Sequence, residues 1–306
     1  MIGLILVWYS FHKISFTDLS FYLKNIDYPW VYFGAVLGFL SHLSRAYRWK
    51  FLIEPLGYKL RFPNSFMAVF SGYLINYTIP RAGEVSRATI LSNYEKVPFE
   101  KGFGTIVAER VADILVMFFI VIVALLWKFN VICNFLFQNI YFQNQLLILS
   151  PVLLFLFFCL YQIIKKSNHA FFVKIRSFLS GFAEGLMSIL KMRQKWYFIA
   201  HTLFIWAMYI LMFYVTSHSI AQISYLDFSI ILIGFIAASF SVAATNGGVG
   251  AYPLAVYAAF SIFEVPEAPS LAFGWVIWTS QTILIIIIGG LSLILLPIYN
   301  KFCPKN

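Results

Sequence analysis

From Leu271 to Ile298 the chain carries no charged side chain. A hydrocarbon core about 30 Å thick is crossed by about 20 residues of helix, so this stretch alone dictates a membrane span. Four further apolar stretches have comparable reach: Tyr28 to Trp49, Thr105 to Trp127, Gln145 to Ile164 and Trp196 to Ser217. Met1 to Phe11 is apolar but lacks a basic leader and a small-residue cleavage site, which reads as a short first span rather than a signal peptide. Composition agrees, because 61% hydrophobic and 11% charged residues over 306 positions leave too little polar surface to solvate a globule. A soluble domain carries about 25% charged residues. The expected fold class is therefore an all-α integral membrane protein of about seven or eight helical segments, a single polytopic domain over 1–306.

The net charge of +10 does not point to nucleic acid, because the basic residues sit in short loops between spans, where they mark the cytoplasmic side. Lys165, Lys166, Lys174, Arg176, Lys191, Arg193 and Lys195 place 165–195 inside. Arg45, Arg48, Lys50, Lys59 and Arg61 do the same for the loop after Trp49, and Lys301 and Lys305 for the C-terminus. The loop 128–144, with Lys128 alone, falls outside. A multi-pass protein of the cell inner membrane, with both termini cytoplasmic, follows.

Two stretches do not fit a simple zigzag. Phe66 to Tyr94 is broken by Ile79-Pro80-Arg81-Ala82-Gly83, and Phe228 to Phe263 by Asn246-Gly247-Gly248-Val249-Gly250. If either crossed once, the basic loops on its two sides would land on opposite faces, so both are expected to enter and leave on one side. The chain then resolves into about six spanning helices plus two re-entrant helical hairpins in an inverted repeat. Repeat one covers 28–127 and repeat two 196–300. Broken helices meeting near the midplane are found in transporters, because non-helical backbone survives at that depth only inside protein or along a wet cavity. Ordinary kinked spans are the competing reading. Between the repeats, Phe171, Ile175, Phe178, Phe182, Leu186 and Ile189 recur at helical spacing, which predicts an amphipathic interfacial linker helix over 168–195.

Six ionisable residues fall within or beside the apolar segments: Arg81, Glu84 and Arg87 in the first hairpin, and Glu109, Arg110 and Asp113 in the next span. Each unpaired charge at bilayer depth costs about 2.5 to 3.5 kcal/mol, so the six must pair or face water. Spacing allows Glu84 with Arg87 and Arg110 with Asp113, three apart, and places Glu109 and Asp113 on one face. Arg81 precedes the second half-helix, and a helix N-terminus with guanidinium groups suits a phosphate. Asn76 and Asn246 occupy comparable places in the two hairpins, positions from which to cap backbone or touch ligand. The candidate substrate-binding set is thus Asn76, Arg81, Glu84, Arg87, Glu109, Arg110, Asp113, Asn246, Gly247 and Gly248. A purely structural neutralisation of the six charges stays open at this point. The three cysteines (Cys133, Cys159, Cys303) offer neither a disulfide framework nor a metal pair. No nucleotide loop, metal motif or nucleophile elbow is present, so no cofactor and no enzyme chemistry is expected.

The blocks Arg45-Ala-Tyr-Arg48-Trp49, Pro80-Arg81-Ala-Gly83-Glu84-Val-Ser-Arg87-Ala88, Glu109-Arg110-Val-Ala-Asp113 and Gly247-Gly248-Val-Gly250, in that order, resemble the lysylphosphatidylglycerol synthase transmembrane (flippase-like) family. That family includes the flippase domain of the multiple peptide resistance factor. The resemblance covers nearly the whole chain and implies a protein that moves a phospholipid or lipid-linked head group between leaflets. The second half is less polar than the family pattern: Ala251-Tyr252 follows the glycine block, and the last span has Trp275, Trp278 and Gln281 where many relatives carry an arginine. This argues against the lysylated lipid itself as substrate. The expected partners are an anionic lipid and the bilayer. Two other classes compete: an intramembrane enzyme using Glu84 or Glu109 on a lipid-linked substrate, and a non-transporting subunit of a lipid synthase.

Overall fold

A computed structural model describes residues 2–13, 16–79, 81–129 and 189–303, together with 162, 173 and 187. The span expected over Gln145 to Ile164 and most of the linker helix expected over 168–195 lie outside the described residues. Those described form an all-helical structure. In chain order the helices are α1 (Ile2–Lys13), α2 (Phe16–Lys24), α3 (Tyr28–Arg48), α4 (Lys50–Ile53), α5 (Phe62–Thr78), α6 (Ala82–Glu95), α7 (Phe99–Trp127), α8 (Lys195–Ser217), α9 (Ala221–Ser224), α10 (Phe228–Ala244), α11 (Ala251–Ser261) and α12 (Glu267–Phe302). Proline marks several starts, in the first turn of α3 and α5 and just before α7 and α12. A missing N–H costs nothing there.

Among the described residues three helices are long and apolar enough to cross a membrane: α7, α8 and α12. α3 has the length, at 21 residues, but devotes its last two turns to buried polar and charged groups. At about 1.5 Å per residue the 36 residues of α12 reach about 54 Å, well beyond the hydrocarbon core. α1, expected as a first span, has 12 residues and reaches about 18 Å. Its first half lies against the backbone of Gly250, in the break between α10 and α11, so it covers part of the depth only.

Each broken stretch folds back on itself. α5 and α6 pack along each other, and the start of one is tied to the end of the other where Arg61 Nε donates to Glu95 Oε1 at 2.9 Å. Asn64 and Arg61 also reach Asn300 of α12, on that same end of the molecule. α10 and α11 form the second hairpin, whose base lies at the opposite end, where Lys128 pairs with Asp227 at 3.3 Å. The two tips meet: a Cβ on Gly247 would strike the ring of Tyr77 at 2.6 Å.

The packing runs in matched pairs. α3 lies along α8; α5 packs on α12 as α10 does on α7; α6 packs on α7 as α11 does on α12. Without a hydrophobic drive between helices in lipid, small residues at the crossings let backbones approach. Gly274 sits on Pro253 and Gly289 on the Phe70 carbonyl. One apolar core gathers around Phe213, Phe235, Phe260 and Phe273, and a second around Trp49, Ile53, Leu91, Ile106 and Phe198. Polar groups collect beside the second.

Candidate functional site

Glu109 and Asp113 stand one turn apart on α7, both buried. Across from them α3 offers Arg45 and Arg48, one turn apart on one face and buried as well. Arg45 Nη1 donates to Glu109 Oε1 and to Asp113 Oδ2, each at 2.6 Å. Arg48 Nη1 donates to Asp113 Oδ1 at 3.1 Å and to Thr202 Oγ1 of α8 at 2.7 Å, and its Nη2 lies 3.3 Å from Glu109 Oε1. From the first hairpin Arg87 Nη2 donates to Glu109 Oε2 at 2.9 Å, its guanidinium 4.3 Å over the Trp49 ring. Trp49 is anchored in turn by its Nε1, which donates to Thr105 Oγ1 at 2.9 Å.

The charge does not cancel. Three buried guanidinium groups face two carboxylates, and five of their nitrogens have no hydrogen-bond partner among the described residues: Arg45 Nε, Arg48 Nε and Nη2, and Arg87 Nε and Nη1. Buried donors left unmade are costly, about 1 to 3 kcal/mol each. Beside this core lies a second pair, open to the surroundings. Arg110 Nη2 donates to Glu84 Oε1 at 2.9 Å, with side chains 39% and 23% exposed. Asn76 bridges it to the hairpin tip, its Nδ2 donating to Glu84 Oε2 at 3.4 Å and its Oδ1 accepting from the Gly83 N–H at 2.7 Å. Arg81 stands exposed at that tip in a left-handed conformation, φ 60°, and no ion pair to it is present among the described residues.

The pairing expected from helical spacing is therefore corrected. Glu84 is held by Arg110, not by Arg87; Arg87 is held by Glu109; and Arg110 stands 3.9 Å from Asp113, a weaker partner than Arg45 or Arg48. The i, i+3 pairings gave way because side chains on facing helices approach more closely than neighbours along one helix. Arg45 and Arg48, read from the sequence as loop charges marking topology, are buried ion-pair members. Only the resemblance carried by Arg45-Ala-Tyr-Arg48-Trp49 signalled them. The α6 N-terminus is also less open than expected, since the N–H of Gly83 is taken by Asn76 and that of Ala82 by the Ile79 carbonyl.

The second hairpin stays away from the charges. Asn246 is exposed, and Gly247 and Gly248 hold positive φ, with Gly247 under Tyr77 and its carbonyl accepting from Trp278 Nε1 at 2.8 Å. Asn76 and Asn246 are thus not equivalent, and the tips touch. Because Arg110 is half-exposed and its partner Glu84 also has Asn76, Arg110→Ala is expected to cost only about 1 kcal/mol. Thermal melting of the purified variant close to that of the parent is the expected result, and a collapse would place Arg110 inside the buried network.

The lysylphosphatidylglycerol synthase TM region family matches residues 1–290. A UPF0104 membrane protein of Methanocaldococcus jannaschii is 37% identical over 100 residues, which is 32% of this chain and 30% of that relative. The match thus spans under a third of the relative's length. No solved structure matches. With a family match across nearly its whole length, the chain belongs to the lysylphosphatidylglycerol synthase transmembrane family and is a multi-pass membrane protein.

Proposed function

We propose that the protein carries an anionic lipid head group, of a phospholipid or a lipid-linked carrier, between the leaflets of the cell inner membrane. The observation that supports this is the surplus of buried guanidinium groups with nitrogens unpartnered among the described residues, next to the half-exposed Arg110–Glu84 pair. A phosphate supplies the missing acceptors, and charge-assisted bonds to it are the stronger kind. The matched packing of α3, α5, α6 and α7 with α8, α10, α11 and α12 fits two repeats of opposite direction, each with a re-entrant hairpin. Tyr77 against Gly247 then serves as the closed gate where the tips meet, rather than the wall of an open cavity. Basic residues at the base of the first hairpin favour a cytoplasmic position for that end. Cysteines introduced near Phe66 and Tyr94 should both label from the cytoplasm and those near Phe228 and Phe263 both from outside; labelling from opposite sides within a pair overturns the hairpins.

Transport is favoured over chemistry because Glu109 and Asp113 are each clamped by at least two guanidinium groups and have little freedom to exchange protons. Glu84, half-buried with one cation, is the carboxylate left to couple a proton. Arg81→Gln in proteoliposomes with labelled phosphatidylglycerol should slow translocation about tenfold, the loss of one charge-assisted bond, with melting unchanged. Arg87→Gln should lose both. Parental rates for Arg81→Gln sink the phosphate route. A new lipid species in the extracted liposomes would instead make the protein an enzyme.

A further inference from the structure

On the flank of α3 that turns away from Arg45 two cavities adjoin. Leu40, Leu43, Ser44 and Tyr47 recur at three- and four-residue spacing on α3, so they share one helix face, and Lys50 and Glu54 follow beyond the turn at Trp49. The lower cavity, about 510 Å³, lies between Leu40, Leu43 and Ser44 of α3 and Ala200, His201 and Phe204 of α8. The upper, about 570 Å³, is bounded by Lys50, Glu54, Tyr58 and Lys59. Tyr47 and Phe62 line both, and their rings, 6.1 Å apart between centroids, stand where the two adjoin. At about 1.5 Å per residue, Leu40 lies about 15 Å below Lys50, half the hydrocarbon core.

The geometry points to a docking site for one phospholipid of the inner leaflet with an anionic head group, its phosphate against Lys50 and Lys59 and an acyl chain in the cleft between α3 and α8. Two features carry this. Polarity is ordered along the groove as in a lipid, with two lysines against the single Glu54 at the mouth and apolar walls below. Lys50 Nζ sits 3.7 Å from the centroid of the Tyr47 ring, which holds the cation at the junction of the two cavities while leaving its other hydrogens available. A polar anion alone makes no use of the lower cleft, and an apolar chain alone makes no use of the lysines. The site does not depend on head groups crossing at the hairpin tips.

The test uses the purified full chain and phosphatidylglycerol bearing a photoreactive group in its acyl chain. Cross-links are expected in 40–47 and 200–204, displaced by unlabelled phosphatidylglycerol but poorly by phosphatidylcholine, and not by inorganic phosphate. The pair Lys50→Gln and Lys59→Gln should weaken labelling about tenfold, as expected for lost charge-assisted contacts. The equal charge change Lys191→Gln and Lys301→Gln, on residues that do not line the groove, should leave it intact. Cross-links confined to other segments, or equal displacement by phosphatidylcholine, overturn the site. Displacement by inorganic phosphate would reduce it to an anion site without a chain. Translocation assays play no part, so failure here and failure of the transport reading are separable.

Discussion

Replacing Glu109 with Gln should remove most of the folded protein. Glu109 meets three guanidinium groups, Arg45 at 2.6 Å, Arg48 at 3.3 Å and Arg87 at 2.9 Å, and is fully buried. Its neutralisation leaves Asp113 as the one buried carboxylate beside Arg45 and Arg48 among the described residues and deprives Arg87 of its acidic partner. Breaking a buried pair by removing one member costs about 3 to 5 kcal/mol, because the surviving charge stays buried and uncompensated. Total stabilities run about 5 to 15 kcal/mol, so this is a large share. The measurement is the yield and melting temperature of detergent-solubilised protein, with Glu109→Asp as a partial rescue that keeps the charge. A Glu109→Gln protein that melts like the parent would show that water or an ion already neutralises the cluster.

Gly83→Val should be nearly as damaging, for a steric reason. A Cβ on Gly83 would overlap the carbonyl oxygen of Gly72 across the hairpin and lie 2.7 Å from the Asn76 amide. A backbone oxygen cannot rotate aside, so α5 and α6 must separate; overpacking of this kind costs about 1 to 3 kcal/mol and occasionally more. The separation also pulls Asn76 from the Gly83 N–H and moves Arg87, whose stem rests on Gly72. The melting temperature should fall, and with it the proposed lipid transport. Gly104→Ala provides the contrast, since nothing lies within 4 Å of a Cβ there, and alanine in a helix gains about 0.5 to 1 kcal/mol over glycine. Equal behaviour of the two variants would remove close hairpin packing as a feature of the site.

Much of the architecture is legible in the sequence. Uninterrupted apolar length demands a span whatever surrounds it, because the bilayer sets the length, and Leu271 to Ile298 becomes the middle of α12. The breaks at Ile79–Gly83 and Asn246–Gly250 are local too, since glycine and a left-handed Arg81 interrupt a helix through their own backbone angles, and both helices end where the motifs predicted. The common face of Glu109 and Asp113 follows from the helical period alone. What neutralises them does not. Periodicity reports neighbours along one helix, and it favoured Arg110; the partners chosen come from elsewhere in the chain, Arg45 at 64 residues' distance from Glu109 and Arg87 at 22. A charged residue at the end of a span reads the same in sequence whether it meets water or a buried carboxylate. Only the packing of α3 on α8, with α7 in reach of its side chains, turned Arg45 and Arg48 inward, because a guanidinium there gains two carboxylates that the solvent side does not offer.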